Sequence, residues 1–272
     1  MPVHFGADLK SRTLSALVLV PVVLAAAWLG GIAFAILWVV AGGLILNEWA
    51  GLARLDNHAV YVGIGGAVLA GAGLLAVLAE PSWAFSLAAL GAAACTLAVP
   101  RQSVWAMTGM LVAASAALPV VVLRGTSSLG LVAVLFLCAI VWATDIFAYF
   151  TGRALGGHKL WPRVSPNKTW SGAAGGTLAG TLAGVLVGLA AGLPALLPLA
   201  GLALVLSVVS QGGDLAESAA KRLFGVKDAS QLIPGHGGLL DRLDGFAAAA
   251  AAAAVVAVLR GPSDPAAALL LW

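Results

Sequence analysis

Residues 129–150 read LGLVAVLFLCAIVWATDIFAYF, an apolar run whose one charge is Asp145. Wound as an α-helix at ~1.5 Å per residue, it is long enough to cross the ~30 Å hydrocarbon core of a bilayer. Similar runs lie on both sides of it. Reading outward, the spans fall at 14–29, 31–47, 59–79, 82–99, 104–123, 129–150, 172–192, 194–210 and 245–260, about nine transmembrane helices. Hydrophobic residues make up 61% of the chain and charged residues 9%, against roughly 45–50% and 25% in soluble domains. A membrane β-barrel would instead show strict alternation. The expected fold is therefore all-α, a polytopic integral membrane protein.

The few charges are unevenly placed. With nine spans and the N-terminus inside, twelve Lys and Arg residues fall on the inner side, and only Arg124 and Arg260 fall outside. Lys and Arg mark the cytoplasmic side of a membrane protein. Residues 1–125 then read as a scaffold of transmembrane helices. Residues 126–272 read as the region that carries chemistry, with polar loops 151–171 and 211–244 on the cytoplasmic face. Glu48, at the end of the second span, reads as an interfacial anchor. The tryptophans near span ends read as interface belts. Cys95 and Cys138 sit in apolar runs and read as small buried hydrophobes.

The seventh span repeats a glycine at every fourth position, Gly172, Gly176, Gly180, Gly184, Gly188 and Gly192. This makes a slowly winding ridge without side chains, along which helices in lipid can approach closely. It is expected to seat the sixth and eighth spans beside it, or to form a subunit contact.

The polar stretch 211–245 reads QGGDLAESAAKRLFGVKDASQLIPGHGGLLDRLDG, with five acids and four bases. Asp214, Glu217, Ser218 and Lys221 are spaced to share one helix face. Asp241 and Asp244 open the next apolar run, and glycines 235, 237 and 238 precede them. Two acidic helix ends beside a glycine-rich loop can hold a hard cation such as Mg²⁺, while Lys or Arg takes outer phosphate oxygens. The stretch is slightly acidic, so no nucleic-acid partner is expected. Asp145 costs ~2.5–3.5 kcal/mol in a lipid-facing helix centre and is expected to face the polar site. Ser165-Pro166-Asn167-Lys168-Thr169 fits the start of the seventh helix, where free N–H groups favour an anion. These residues alone imply metal-dependent phosphate chemistry at one membrane face.

The pattern Ser218-x-x-Lys221-Arg222-x4-Lys227-Asp228-x5-Pro234-Gly235-His236-Gly237-Gly238-x2-Asp241-Arg242-x-Asp244 closely resembles the signature of the phosphatidate cytidylyltransferase (CDP-diacylglycerol synthase) family. Gln211-x-Gly213-Asp214-x-x-Glu217-Ser218, the Asp145 to Arg153 segment and the Ser-Pro-x-Lys-Thr box resemble further motifs of that family. Ser171 departs from it, where a glutamate is expected in many relatives. The resemblance covers about residues 140–246. It implies that CTP and phosphatidate react to give CDP-diacylglycerol and pyrophosphate, in an enzyme of phospholipid biosynthesis in the bacterial inner membrane that works as a homodimer.

On this reading Asp214 and Asp241 hold Mg²⁺, with the number of cations left open, and Lys221, Arg222 and Arg242 grip phosphates. Ser165, Lys168, Thr169, Lys227, His236, Gly237 and Gly238 contribute to substrate binding. Asp145, Glu217, Ser218 and Asp244 ligate or orient. Two rival functions fit the same charges: a secondary transporter with intramembrane carboxylates, and a CTP-dependent enzyme using another lipid acceptor.

Overall fold

The computed structural model describes residues 20–232, 237–261 and 263–272. Its helices are α1 (Val20–Leu29), α2 (Gly31–Leu52), α3 (His58–Leu78), α4 (Pro81–Ala98), α5 (Ser103–Arg124), α6 (Ser128–Leu155), α7 (Trp170–Ala190), α8 (Leu196–Leu223), α9 (Leu240–Arg260) and α10 (Pro265–Leu270). Among the described residues, eight helices, α2 to α9, are long and apolar enough to cross a membrane. The first expected span, 14–29, is described only from Val20, as the short apolar helix α1.

The polar ends of three helices differ from the expected spans. Helix α6 continues to Leu155, α8 to Leu223, and α9 begins at Leu240. Hydropathy falls where charges begin, but Ala, Glu, Lys, Arg and Leu remain good helix formers. Half of the expected loop 211–244 is therefore helix. The loop 151–171 holds a two-stranded antiparallel hairpin, β1 (Lys159–Trp161) and β2 (Ser165–Thr169), with Lys159 opposite Thr169 and Trp161 opposite Ser165.

Successive helices reverse direction, and side-chain contacts gather the connections at two ends. At one end Trp49 Nε1 donates to the Trp105 carbonyl, Asn57 to Ala98, and Arg222 to Val164. At the other, Arg124 donates to the carbonyls of Ala27 and Trp28, and Arg260 to those of Ala268 and Leu271. The Lys and Arg segregation read from sequence thus appears as two chemically distinct ends.

Helix α9 ties the halves together, packing on both α5 and α8. Its alanine run lets it do so: Ala249, Ala250, Ala253 and Ala257 are fully buried. Trp38 of α2 stacks on Phe246 of α9 at 5.2 Å. Trp38 and Trp49 are buried in packing and are no part of an interface belt, whereas Trp28 and Trp83 are exposed. Cys95 and Cys138 are buried free thiols, as expected.

The glycine ridge of α7 faces α6 and α8 together. A Cβ at Gly176 would lie 2.6 Å from the Thr144 carbonyl oxygen, and one at Gly184 2.7 Å from Ala203 Cβ. At Gly180 it would meet Thr144 Oγ1 and Ser207 Oγ, which hydrogen-bond each other at 2.6 Å. Gly192 does not continue the ridge; at φ +68° it ends the helix, a left-handed position that suits glycine. Gly180→Leu should destabilise the protein by at least about 1–3 kcal/mol through overpacking. Thermal unfolding in detergent checks this, and an unchanged melting temperature would refute the seam.

Candidate active site

The end of the bundle that carries the hairpin gathers side chains from α6, β2, α8 and α9. Helices α8 and α9 touch closely here because Gly213 and Gly245 have no side chains: a Cβ on Gly213 would lie 2.8 Å from the Asp244 carbonyl oxygen, and one on Gly245 3.0 Å from that of Ser210. This approach aligns Asp214, Glu217 and Lys221 of α8 with Asp244 and Asp241 of α9.

Two groups result. In the first, Asp145 of α6, Asp214 of α8 and Asp244 of α9 interact electrostatically with one another, and with Lys168 of β2. Lys168 Nζ lies 2.5 Å from Asp214 Oδ2, and Ser218 Oγ lies 3.4 Å from Asp214 Oδ1. Asp145 lies on the surface of the bundle and also feels Arg242. Asp244 Oδ1 accepts the Gly245 amide at 2.7 Å.

In the second, Lys221 Nζ bridges two buried carboxylates, Glu217 Oε2 at 2.7 Å and Asp241 Oδ1 at 2.6 Å. Asp241 Oδ2 accepts the amides of Gly238 at 2.7 Å and Ala229 at 3.0 Å. Gly237 adopts φ +84°, a conformation that L side chains rarely take, and a Cβ on Gly238 would lie 3.1 Å from Asp241 Oδ2. The paired glycines let the loop fold onto the carboxylate.

Other predicted residues sit differently. The Gly238 amide, expected to line a nucleotide, is engaged by Asp241. The Ser165–Thr169 box is a strand that precedes α7, and Thr169 caps that helix by accepting the Gly172 amide at 3.1 Å. Ser165 sits opposite Trp161 in the hairpin. Arg222 donates to the carbonyls of Val164 and Val226 at 3.4 and 3.0 Å, tying hairpin and loop to α8. Lys227 is exposed. His236 lies outside the described residues.

One residue of the site region was misjudged. Glu48 is no interfacial anchor: it is 4% exposed and accepts hydrogen bonds from Ser230 Oγ at 2.6 Å and the Leu239 and Leu240 amides at 2.8 Å each. A lone acid after an apolar run was the available signal, but its partners lie some 190 positions along the chain.

Among the described residues no group of three or more His, Cys, Asp or Glu side chains forms a ready-made metal cage. Mg²⁺ is usually held by one or two carboxylates plus substrate phosphates and waters. The expected pair Asp214 and Asp241 falls in different groups: Asp214 Oδ2 faces Lys168, whereas Asp241 Oδ1 faces Lys221 and its Oδ2 accepts two backbone amides.

The profile of the Cytidylyltransferase family matches residues 10–259. The chain is 42% identical over 264 residues to the phosphatidate cytidylyltransferase of Brucella suis biovar 1 (strain 1330), covering 96% of this chain and 97% of that protein. It is 42% identical over 125 residues to the enzyme of that name from Bacillus subtilis (strain 168), 46% of each chain. Over 122 residues it is 48% identical to that of Staphylococcus epidermidis (strain ATCC 35984), 44% of this chain and 47% of the other. With eight long apolar helices among its described residues and acid–lysine clusters at one end, the chain belongs to the cytidylyltransferase family.

Proposed function

We propose that this protein is a phosphatidate cytidylyltransferase, joining CTP to phosphatidate to give CDP-diacylglycerol and pyrophosphate. Family membership and the similarity to the Brucella enzyme along nearly the whole chain support the reaction. The observation that carries it is the pairing of Lys168 with Asp214, and of Lys221 with Glu217 and Asp241, at one end of an apolar bundle. A nucleotide triphosphate and a lipid headgroup can meet there at the bilayer surface.

A phosphatidate oxygen attacks the α-phosphorus of CTP in line. A new P–O bond forms, the α–β anhydride bond breaks, and pyrophosphate leaves with the bonding electrons. The attacking phosphate is already ionised near neutral pH, so no strong general base is needed. Catalysis of this kind is mainly positioning and electrostatic stabilisation. Mg²⁺, held by Asp214 and Asp241 with Asp145 and Asp244 adding negative charge nearby, would neutralise the triphosphate. Lys168 and Lys221 exchange carboxylate for phosphate oxygens when CTP binds, and Arg242 joins them. Arg222 keeps the hairpin against α8.

The site faces the cytoplasm of a bacterial inner membrane, a placement supported by the Lys and Arg bias. The working unit is a homodimer, for which light scattering in detergent is the check.

Purified protein with Mg²⁺, phosphatidate and CTP labelled at the α-phosphate should transfer label to lipid and release one pyrophosphate per labelled lipid. Label that appears only with another lipid acceptor, or not at all, would overturn the assignment.

A further inference from the structure

We propose that Glu48 is a positioning residue for the reaction: it pins the start of α9 and the loop before it, and so sets the place of Asp241. This rests on the reading of Asp241 as part of the active site.

The geometry is specific. A carboxylate on α2 is buried without a lysine or arginine within ion-pair distance among the described residues, and its charge is met by three donors. Two are backbone amides at the beginning of α9, where unpaired N–H groups and the helix dipole favour an anion. The third, Ser230 Oγ, belongs to the loop between α8 and α9 and itself accepts the Leu232 amide at 3.1 Å. Glu48 thus does from another helix what an N-cap side chain does locally; Leu239, at the N-cap position, makes no side-chain cap.

The pin and the site meet at one residue. A Cβ on Gly238 would lie 2.9 Å from Glu48 Oε2 and 3.1 Å from Asp241 Oδ2, so the backbone there is held between the two carboxylates. Asp241 takes the Gly238 amide and Glu48 takes the next two. Between them they engage three successive amides at the start of α9, which leaves those N–H groups no part in binding substrate phosphate. Glu48 itself is fixed by the packing of α2, where Trp49 donates to the Trp105 carbonyl and sits edge-on to Phe224 at the end of α8. A residue of the scaffold half thereby fixes the angle at which Asp241 faces Lys221.

The test compares wild type, Glu48→Ala, Glu48→Gln and Ser230→Ala in nanodiscs, reading steady-state kinetics and hydrogen–deuterium exchange by peptide. Glu48→Ala should lower kcat by about 100-fold, the scale of a 1 Å misplacement of a reacting group. Exchange should rise in peptides covering 229–243 and stay unchanged across α6 and α7. Glu48→Gln, which keeps one oxygen, should fall between Glu48→Ala and wild type, and Ser230→Ala should show a smaller loss than either. If Glu48→Ala does not fold, the ordering of the other two variants decides. A kcat within threefold of wild type for Glu48→Gln and Ser230→Ala, or exchange that rises equally throughout the bundle, would overturn the proposal. Wild-type protein that lacks CTP-dependent activity would sink the active-site reading, while local exchange in Glu48→Gln would still report on the pin.

Discussion

Asp214→Asn should lower kcat for CTP-dependent lipid labelling by about 10²–10³-fold, the loss that follows removal of one preorganised electrostatic group. Its stability should barely change. Asp214 and Lys168 are 34% and 27% exposed, and an ion pair in that setting contributes about 0–1 kcal/mol. The asparagine is nearly isosteric and can still accept from Ser218. Loss of turnover with an unchanged melting temperature therefore separates a chemical role from a structural one. Retention of more than a third of wild-type kcat would remove Asp214 from the mechanism.

Lys221→Met should have two large effects at once. Lys221 is the ammonium between Glu217 and Asp241, whose side chains are 7% and 6% exposed. Removing it leaves two neighbouring acids buried without their cation, a change that costs about 3–5 kcal/mol when one partner of a buried ion pair is lost. Turnover should also fall, because the same ammonium is assigned to the triphosphate. Glu217→Gln in the Lys221→Met background should recover part of the stability by removing one of the two buried acids left without a cation, yet recover no activity. Thermal unfolding and the labelling assay read the two effects separately. A Lys221→Met protein as stable as wild type would mean that the pairing is not maintained in solution.

The sequence was informative where chemistry is local. The spacing of Asp214, Glu217 and Lys221 places them on one helix face whatever that helix packs against, and the structure has them on α8. The glycine ridge of α7 was equally legible, because lack of a side chain every fourth residue predicts close approach without naming the partner. What escaped was information carried by distant contacts. Glu48 looks like an acid at a membrane surface until its three donors, from Ser230, Leu239 and Leu240, are brought to it by the packing of α2. The Gly238 amide looked free for a nucleotide because its bond to Asp241 depends on how the loop turns. The Ser165–Thr169 box looked like a helix start; pairing with Lys159–Trp161 made it a strand. Helix ends were read short because hydropathy reports where lipid stops, whereas the helix stops where its hydrogen bonds do.

Asp214 and Asp241, on adjacent helices, are proposed to hold a divalent cation together with the triphosphate of CTP. Mn²⁺ titrated into purified protein in nanodiscs, with CTP present and free Mn²⁺ followed by its electron paramagnetic resonance signal, tests it without turnover. Wild type should bind Mn²⁺ in a CTP-dependent manner, and Asp214→Asn and Asp241→Asn should each weaken this binding at least about tenfold, the loss of roughly 1.4 kcal/mol. Equal Mn²⁺ affinity in wild type and both variants would contradict it.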